Sequence, residues 1–329
     1  MGARGKNMKP FLLAPSYQDY LWGGERLKQE YHKQTDLYPL AESWELSAHP
    51  DGPSVIASGE LSGMPFSQFA AEYPQLLGHA YAGKQEFPLL IKLIDAEKVL
   101  SIQVHPDDDY AREFENGQQG KEEMWYLLDC KEGASLYFGF REQISREEFG
   151  RRLSDGTITE VLNRVPVKKG DVFFIEAGII HAIGEGIVVA EIQQNSNLTY
   201  RVHDFNRLGP DGKPRSLQLD KALAVTSLVP SKPQQQAAAG PVREQPGQFR
   251  VKPLVRCRRF SVDLVQVEAA YTHPVDPASF VSILCVEGAG TLRWKEESLS
   301  MQKGDSIFVP SDCEQVSLMG TGEYLFTYL

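Results

Sequence analysis

Short segments in which apolar and polar residues alternate recur along most of this chain. They are rich in branched and aromatic side chains and are separated by Gly, Pro or Ser, which is typical of β-strands. Before residue 230 these segments read LLIKLI, VLSIQVHP, MWYLLDC, DVFFIEAG and IVVAEIQ, and after residue 249 they read FSVDLVQVEA, VSILCVEG, TLRWKE, SIFVP and EYLFTYL. The pattern predicts a mainly β protein.

Helical periodicity is limited to three segments, at 66–78, 145–165 and 219–228. The second begins with Ser145 and Glu148, which have the spacing of a helix capping box. We therefore expect a few helices added to a framework of strands.

The sequence between 230 and 249 is rich in Pro, Gln and Ala and lacks a large aliphatic run, which indicates an exposed linker. We predict a catalytic domain with helical insertions over 1–232, a linker over 233–249 and a smaller domain over 250–329.

The two halves repeat one another weakly. YLLDCKEGASLYFGF is followed by VKKGDVFFIEAGIIHAI, and SILCVEGAGTLRW is followed by MQKGDSIFVPSDCEQV. Each unit reads as a strand, a Glu-Gly-Ala turn, a strand, a Lys-Gly-Asp turn and a further strand, which is the order of a jelly roll and resembles the cupin signature. We predict two cupin-type jelly-roll barrels. Eleven residues after Gly170 stands His181, whereas eleven after Gly304 stands Gln315, so the second barrel has lost this histidine.

Three stretches of the first repeat region supply candidate metal ligands. Gln103 and His105 lie two apart on a predicted strand and so share a face, Glu122 and Glu123 enter another strand, and His181 follows a tight turn. An amide, a carboxylate and two imidazoles suit a catalytic Zn²⁺ site with an open position. Taken singly, each has a plain structural alternative: a turn, a solvated strand entry or a histidine at a barrel rim.

Composition limits the classes of partner. The 329-residue chain has 34 Lys and Arg against 44 Asp and Glu, a net charge of −10, which disfavours nucleic acid and acidic membranes. An anionic substrate would need a local cluster of cations. The four cysteines form no Cys-x-x-Cys pair, so we expect buried free thiols. The early apolar run at 11–15 is shorter than the roughly 7–15 residues of a secretory core, and we expect a cytoplasmic protein.

Five motifs together resemble one enzyme family. They are LWGGERL at 21–27, ESWELSAHPDGPS at 42–54, LLIKLIDAEKVLSIQVHPDD at 89–108, GKEEMWYLLDC at 120–130 and AGIIHAIGEGIVVAEIQQNSNLTYRVHDFNR at 177–207. Along nearly its whole length the chain resembles type I mannose-6-phosphate isomerases, especially the short bacterial form. The resemblance implies one zinc ion per chain, held by the positions matching Gln103, His105, Glu123 and His181.

The resemblance also implies an active site that contains Arg201, Lys92 and Ser101, with phosphate near Ser101 and neighbouring cations. On an apolar strand, Lys92 points either into a polar barrel interior or to an edge. Glu191 is costly to bury unless it is paired, and we expect it to meet Arg201 or Lys92. His49 is a further candidate acid or base, with a structural turn as its alternative.

The implied reaction interconverts mannose 6-phosphate and fructose 6-phosphate through a cis-enediolate, and Glu191, Lys92 and His49 remain open as the base. The chain departs from the family at Asn197, where Asp is usual, and at His203, where Tyr is frequent. Two other classes fit part of the pattern: a non-catalytic sugar-binding bicupin, and another metal-dependent cupin enzyme such as an iron oxygenase. A glutamine ligand argues against the second of these. The oligomeric state is left open.

Overall fold

The structure is a computed structural model that describes residues 8–84, 86–209, 211–231 and 240–329. Its strands, in chain order, are β1 (Phe11–Ala14), β2 (Ser16–Gln18), β3 (Glu42–Ser47), β4 (Val55–Ile56), β5 (Leu89–Ala96), β6 (Ile102–Val104), β7 (Glu123–Cys130), β8 (Ser135–Phe140), β9 (Leu162–Pro166), β10 (Val172–Ile175), β11 (His181–Ala182), β12 (Ile187–Gln194), β13 (Tyr200–His203), β14 (Arg243–Gln245), β15 (Phe249–Arg256), β16 (Ser261–Val267), β17 (Ala270–Pro274), β18 (Val281–Trp294), β19 (Glu297–Gln302), β20 (Ser306–Val309) and β21 (Gln315–Tyr328). The α-helices are α1 (Arg26–Glu30), α2 (Phe66–Glu72), α3 (Asp108–Phe114), α4 (Arg146–Asp155) and α5 (Leu219–Val225), and short 3₁₀ turns cover Pro74–Leu77, His79–Tyr81 and Ile158–Glu160.

These strands form three sheets. The inner sheet has the order β10-β7-β12-β5-β3-β2, and the outer sheet has the order β13-β6-β11-β8-β9. The large sheet runs β14-β15-β16-β21-β18-β20-β1-β4, with β17 beside β21 and β19 beside β18. All ladders are antiparallel, and the prediction of a mainly β fold with few helices is confirmed.

Alternation along the inner sheet separates two cores. On β5, Ile94 packs with Trp125 and Phe138 in the core that also holds residues of the outer sheet, whereas Ile91 and Leu93 pack toward the large sheet. The other face of the outer sheet is covered by α4 and α5, and the large sheet encloses a separate core of its own. The inner sheet is therefore buried on both faces, which explains its nearly continuous apolar strands.

The helix predicted over 145–165 is too long. Ser145 caps α4 by accepting a hydrogen bond from the Glu148 backbone N–H (3.1 Å), as the capping pattern indicates. The helix ends at Asp155, and the φ of 70° at the next residue, Gly156, lies in the left-handed region that favours glycine. The segment after it forms β9. The helix predicted at 66–78 likewise ends at Glu72 and continues as 3₁₀ turns, and the third is α5.

The internal repeat differs from its prediction in one turn. Gly133 turns the chain between β7 and β8, but Gly288, at the same place in the second repeat, lies inside the long strand β18 near an irregularity in its pairing. His181 and Gln315 both begin strands, β11 and β21, as equivalent positions should.

The domain division stays a prediction. Part of the proposed linker, 233–239, lies outside the described residues, and β14 occupies part of the remainder. The large sheet includes β1 and β4 from the beginning of the chain, because Phe11 pairs with Phe308 and Leu13 with Ile56.

The four cysteines are free, as predicted, but Cys130 and Cys257 are half-buried, and burial is complete at Cys285 and Cys313. Within the described ranges, no helix combines the length and apolar character needed to cross a membrane.

Candidate active site

The inner and outer sheets bring the predicted ligands to one place. Gln103 on β6 and His181 at the start of β11 are register partners in the outer sheet. Glu123 begins β7 in the inner sheet, and His105 follows the end of β6. The two sheets face one another, so side chains far apart in sequence converge between them.

His105, Glu123 and His181 form a completely buried group whose potential ligand atoms all lie within 4.8 Å of one another. Glu123 Oε1 is 3.2 Å from His181 Nε2, and Glu123 Oε2 is 3.5 Å from His105 Nε2. The Gln103 amide Nε2 lies 3.5 Å from His181 Nε2. The structure thus brings all four predicted ligand residues together, and three of them make a group that could hold a metal ion.

The backbone fixes both imidazole rings in an orientation suited to a cation. His105 Nδ1 lies 2.8 Å from the Leu198 carbonyl oxygen, and His181 Nδ1 lies 2.8 Å from that of Ile179. A carbonyl can only accept, so each Nδ1 carries the proton and each Nε2 lone pair faces Glu123. Burial, together with nearby Lys121, lowers the pKa of His105 well below its usual value, which favours the neutral form that binds metals.

Lys121 is a site residue that the sequence reasoning missed. Its ammonium group donates a hydrogen bond to Glu123 Oε2, lies 3.3 Å from His105 Nε2 and is 3.8 Å from Glu191 Oε1. Although burial opposes ionisation of Glu123, Lys121 holds the pKa of that carboxyl well below its usual range. A signal was present, since Lys121 and Glu123 are two apart at a strand entry and so share a face.

A second charged cluster lies beside the first. Lys92 points inward from β5, a central strand, and its Nζ is 3.2 Å from Glu191 Oε1 and 3.4 Å from Glu42 Oε2. The interior alternative for Lys92 is therefore the one observed. Burial opposes its charge, but Glu42 and Glu191 raise the pKa of Lys92 above its ordinary value. Glu191 Oε2 also accepts a hydrogen bond from the Trp125 indole (2.8 Å). Glu42 was not singled out from the sequence.

A cavity of about 290 Å³ is lined by Glu42, Lys92, Lys121 and Glu191. Ser101 and Arg201 line it as well, together with an apolar wall that includes Trp22 and Ile183. The Arg201 guanidinium donates from Nη1 to the Ser216 carbonyl (2.9 Å), while its buried Nε has no partner among the described residues. Burial and the neighbouring Arg215 lower the pKa of Arg201, but a guanidinium remains charged at any physiological pH.

His49 lines a different cavity, of about 580 Å³, which adjoins the first through Asn197. Its ring makes an edge contact with Trp44, and its Nδ1 accepts from the Asp51 backbone N–H (3.2 Å). Asn197 Nδ2 in turn donates to Asp51 Oδ2 (3.0 Å), so Asn197, which lines both cavities, is linked to residues of the larger one. The structure does not bring His49 to the predicted metal ligands.

The residues present fit a divalent cation. Glu123 Oε1 lacks a hydrogen-bond partner among the described residues although it is fully buried, which is costly unless a cation approaches it. The buried carboxylates Glu42, Glu123 and Glu191 outnumber the ammonium groups of Lys92 and Lys121 by one. A divalent ion would offset this local excess of negative charge, and the guanidinium groups of Arg201 and Arg215 add further positive charge to the same cavity for an anionic substrate.

Comparisons with known proteins agree with this geometry. The family model described as phosphomannose isomerase type I, catalytic domain, matches residues 11–133, and that described as mannose-6-phosphate isomerase, cupin domain, matches 250–329. Mannose-6-phosphate isomerase ManA of Bacillus subtilis is 33% identical over 98% of this chain and 99% of its own. The mannose-6-phosphate isomerase of Streptococcus mutans is 34% identical over 97% and 98%.

A solved structure supports the same relationship. The crystal structure of the mannose 6-phosphate isomerase from Bacillus subtilis superposes with a TM-score of 0.91 at 32% identity and covers 98% of this chain and 100% of that one. Because relatives above 30% identity match almost end to end, the chain belongs to the family of type I phosphomannose isomerases.

Proposed function

We propose that this chain is a zinc-dependent aldose–ketose isomerase that interconverts mannose 6-phosphate and fructose 6-phosphate through a cis-enediolate. The observation that carries the proposal is the buried group of His105, Glu123 and His181 beside a cavity lined by Lys92 and Arg201. The full-length relatives that carry the name of this activity support the choice of substrate.

In this proposal Gln103, His105, Glu123 and His181 hold one zinc ion per chain. When bound, zinc would supply a Lewis acid for the carbonyl and hydroxyl oxygens of the open-chain sugar. The two imidazoles, one carboxylate and one amide are an N/O ligand set that zinc accepts while keeping a position open.

The remaining side chains have separate tasks. Glu42 and Glu191 keep Lys92 charged, so we assign Lys92 to stabilising negative charge on the substrate rather than to proton abstraction. Arg201 and Ser101 line the same cavity, and we assign them to the enediolate and the phosphate. The apolar side chains of Trp22 and Ile183 lower the local dielectric constant beside these groups, which strengthens each of these interactions.

Proton transfer between C1 and C2 needs a group inside this cavity. Lys121 and Glu191 both line it, 3.8 Å apart, and we propose that this pair carries the proton, a contribution of about 10²–10⁴-fold. His49 lies in the neighbouring cavity and is left out of the transfer. Free cysteines fit a reducing compartment, and the proposal includes a cytoplasmic enzyme.

The test combines metal analysis of the purified protein with a coupled assay for fructose 6-phosphate formation. We expect about one zinc per chain, loss of turnover after chelation and recovery when zinc is added back. His181→Ala should lose the metal, whereas His79→Ala, which changes an exposed histidine, should retain it.

Full activity after complete removal of the metal would refute the zinc requirement. A protein that binds sugar phosphate without turnover would favour the sugar-binding bicupin, and iron in place of zinc without isomerisation would favour another metal enzyme.

A further inference from the structure

An arginine of the C-terminal half reaches the segment that carries two residues of the candidate active site. Arg259 lies in the turn between β15 and β16, and its guanidinium Nη2 forms an ion pair with Asp108 Oδ2. Its Nε is 3.6 Å from Glu122 Oε2. Glu122 stands between Lys121 and Glu123, so this contact lies beside the proposed metal site.

Each backbone N–H group of the segment 120–122 donates a hydrogen bond to a different residue. The N–H of Gly120 donates to Asp108 Oδ1 (2.8 Å), that of Lys121 to the Pro106 carbonyl (3.1 Å), and that of Glu122 to Gln194 Oε1 (3.0 Å). Gln194 also donates from Nε2 to Asp108 Oδ1 (2.8 Å).

Asp108 is therefore the centre of this network. One of its oxygens accepts from Gly120 and Gln194, and the other is bound by Arg259. Close packing adds to the restraint, because a Cβ on Gly120 would lie 2.5 Å from the Asp107 carbonyl carbon.

The turn that carries Arg259 is itself anchored. The Cys257 thiol sulphur accepts from the backbone N–H groups of Arg259 and Phe260, each at 3.4 Å. Phe260 is buried and makes an edge contact with Phe174 of β10, the strand that pairs with β7 at Glu123. The same turn thus contacts both the strand beside Glu123 and the segment before it.

We propose that Arg259 is a positioning residue through which the C-terminal half keeps Lys121 and Glu123 aligned. It touches neither substrate nor metal. It acts by neutralising and orienting Asp108, whose other oxygen holds the Gly120 amide. This inference rests on the proposed function for its consequences in catalysis, but the restraint itself is measurable without any activity.

The experiment compares four full-length variants with the wild type. Arg259→Ala removes both ion pairs, and Arg259→Lys keeps a cation near Asp108. Arg258→Ala changes an exposed arginine in the same turn, and Phe260→Leu loosens the contact with Phe174 while leaving the ion pairs. Zinc affinity is measured by competition with a chromophoric chelator, kcat and KM by the coupled assay, and stability by thermal unfolding. Hydrogen exchange is followed in peptides that cover 118–124.

We expect Arg259→Ala to lower zinc affinity and kcat by about 10–100-fold, the range seen when groups that support metal ligands are removed, with a smaller change in KM. Exchange in 118–124 should rise. Arg259→Lys should recover part of each loss, and Arg258→Ala should match the wild type. Phe260→Leu should lower the unfolding temperature without a comparable loss of zinc affinity.

If Arg259→Ala has the same zinc affinity, kcat and hydrogen exchange as the control Arg258→Ala, the inference is overturned. The inference also fails if Arg259→Ala and Phe260→Leu lose the same stability and Arg259→Ala loses no more zinc affinity or kcat than Phe260→Leu. Arg259 would then be merely structural. If the wild type neither binds zinc nor isomerises sugar phosphate, the proposed function fails. The exchange comparison still decides on Arg259 in that case, and unchanged protection in 118–124 would refute it.

Discussion

The partners of individual side chains decide what each can do in this protein. His105 and His181 have the same residue type as the exposed His79, but a backbone carbonyl at each Nδ1 and Glu123 at each Nε2 make them suitable ligands. Likewise Lys92 and Lys121 are both buried lysines, and each is made tolerable by carboxylates at close range.

Arg201→Ala should lower kcat by about 10²–10³-fold, because the variant removes a fixed cation that faces developing negative charge. Zinc content should stay at the wild-type level, since Arg201 is outside the group of His105, Glu123 and His181. The coupled assay and metal analysis check both. Arg164→Ala, at an exposed arginine of β9, is the control. Normal turnover in Arg201→Ala would show that the arginine has no part in the reaction.

His273 makes the stability of the C-terminal half depend on pH. Burial lowers its pKa to about 4, more than Asp263 can offset. Between pH 6.5 and 4 the unfolded chain therefore binds a proton that the folded chain does not, and stability falls as the pH falls. At about 1.4 kcal/mol for each pKa unit, the loss is at most about 3.5 kcal/mol. Urea unfolding of the wild type and His273→Gln from pH 7.5 to 4.5 measures it, and an equally steep decline in the variant would contradict the assignment.

The two faces of strand β3 carry carboxylates with different surroundings. On β3, Glu42 lines the cavity of the candidate active site, while Glu45 is fully buried on the other side. There Lys33 Nζ lies 2.7 Å from Glu45 Oε1 and 2.5 Å from the Gly304 carbonyl oxygen, and Ser43 donates to the same carboxylate (2.6 Å). Burial raises the pKa of Glu45, and Lys33 opposes this.

Lys33→Met should lower the free energy of unfolding by about 3–5 kcal/mol, because it leaves the Glu45 carboxylate buried without its cation. The double variant Lys33→Met/Glu45→Leu should recover most of this loss, since an apolar pair of similar size carries no such penalty. Urea unfolding of both variants provides the measurement. A double variant as unstable as Lys33→Met would mean that packing, rather than charge, accounts for the effect.

Across the whole molecule, the large sheet packs against the inner sheet and so supports the candidate active site from behind. The Lys-Gly-Asp turns of the two repeats differ in how closely other residues pack against their glycines. Gly304 lies against Tyr31, and a Cβ there would be 2.2 Å from the Tyr31 carbonyl oxygen, whereas nothing lies within 4 Å of a Cβ on Gly170. Both glycines have positive φ, 93° and 87°.

Gly304→Ala should therefore destabilise the protein more than Gly170→Ala. Both substitutions carry the cost of a left-handed backbone, about 1–2 kcal/mol. Gly304→Ala adds overpacking, about 1–3 kcal/mol, where the first half meets the second. Thermal or urea unfolding of the two variants makes the comparison, and equal losses would show that the Tyr31 contact yields without strain.

The strand framework, the helix cap at Ser145, the internal repeat and the four converging side chains could all be predicted from sequence. They depend on local periodicity or on motifs shared with relatives, and both can be recognised directly in the sequence. Two predictions were wrong at single glycines. Helix α4 ends just before Gly156, earlier than predicted, and Gly288 lies within strand β18, near an irregularity in its pairing, instead of in a turn.

The pairing of Glu191 with Lys92 was among the expected contacts, but most ionic partners could not be predicted from local pattern, because they depend on which segments the fold brings together. Glu42 meets Lys92 on the neighbouring strand, and Arg259 meets Asp108 from a distant part of the chain. His49 lines the neighbouring cavity, and its role as an acid or base stays a prediction. Alternation along a strand indicates which residues share a face. The assembled sheets determine what that face meets, because charge interactions act through space and not along the chain.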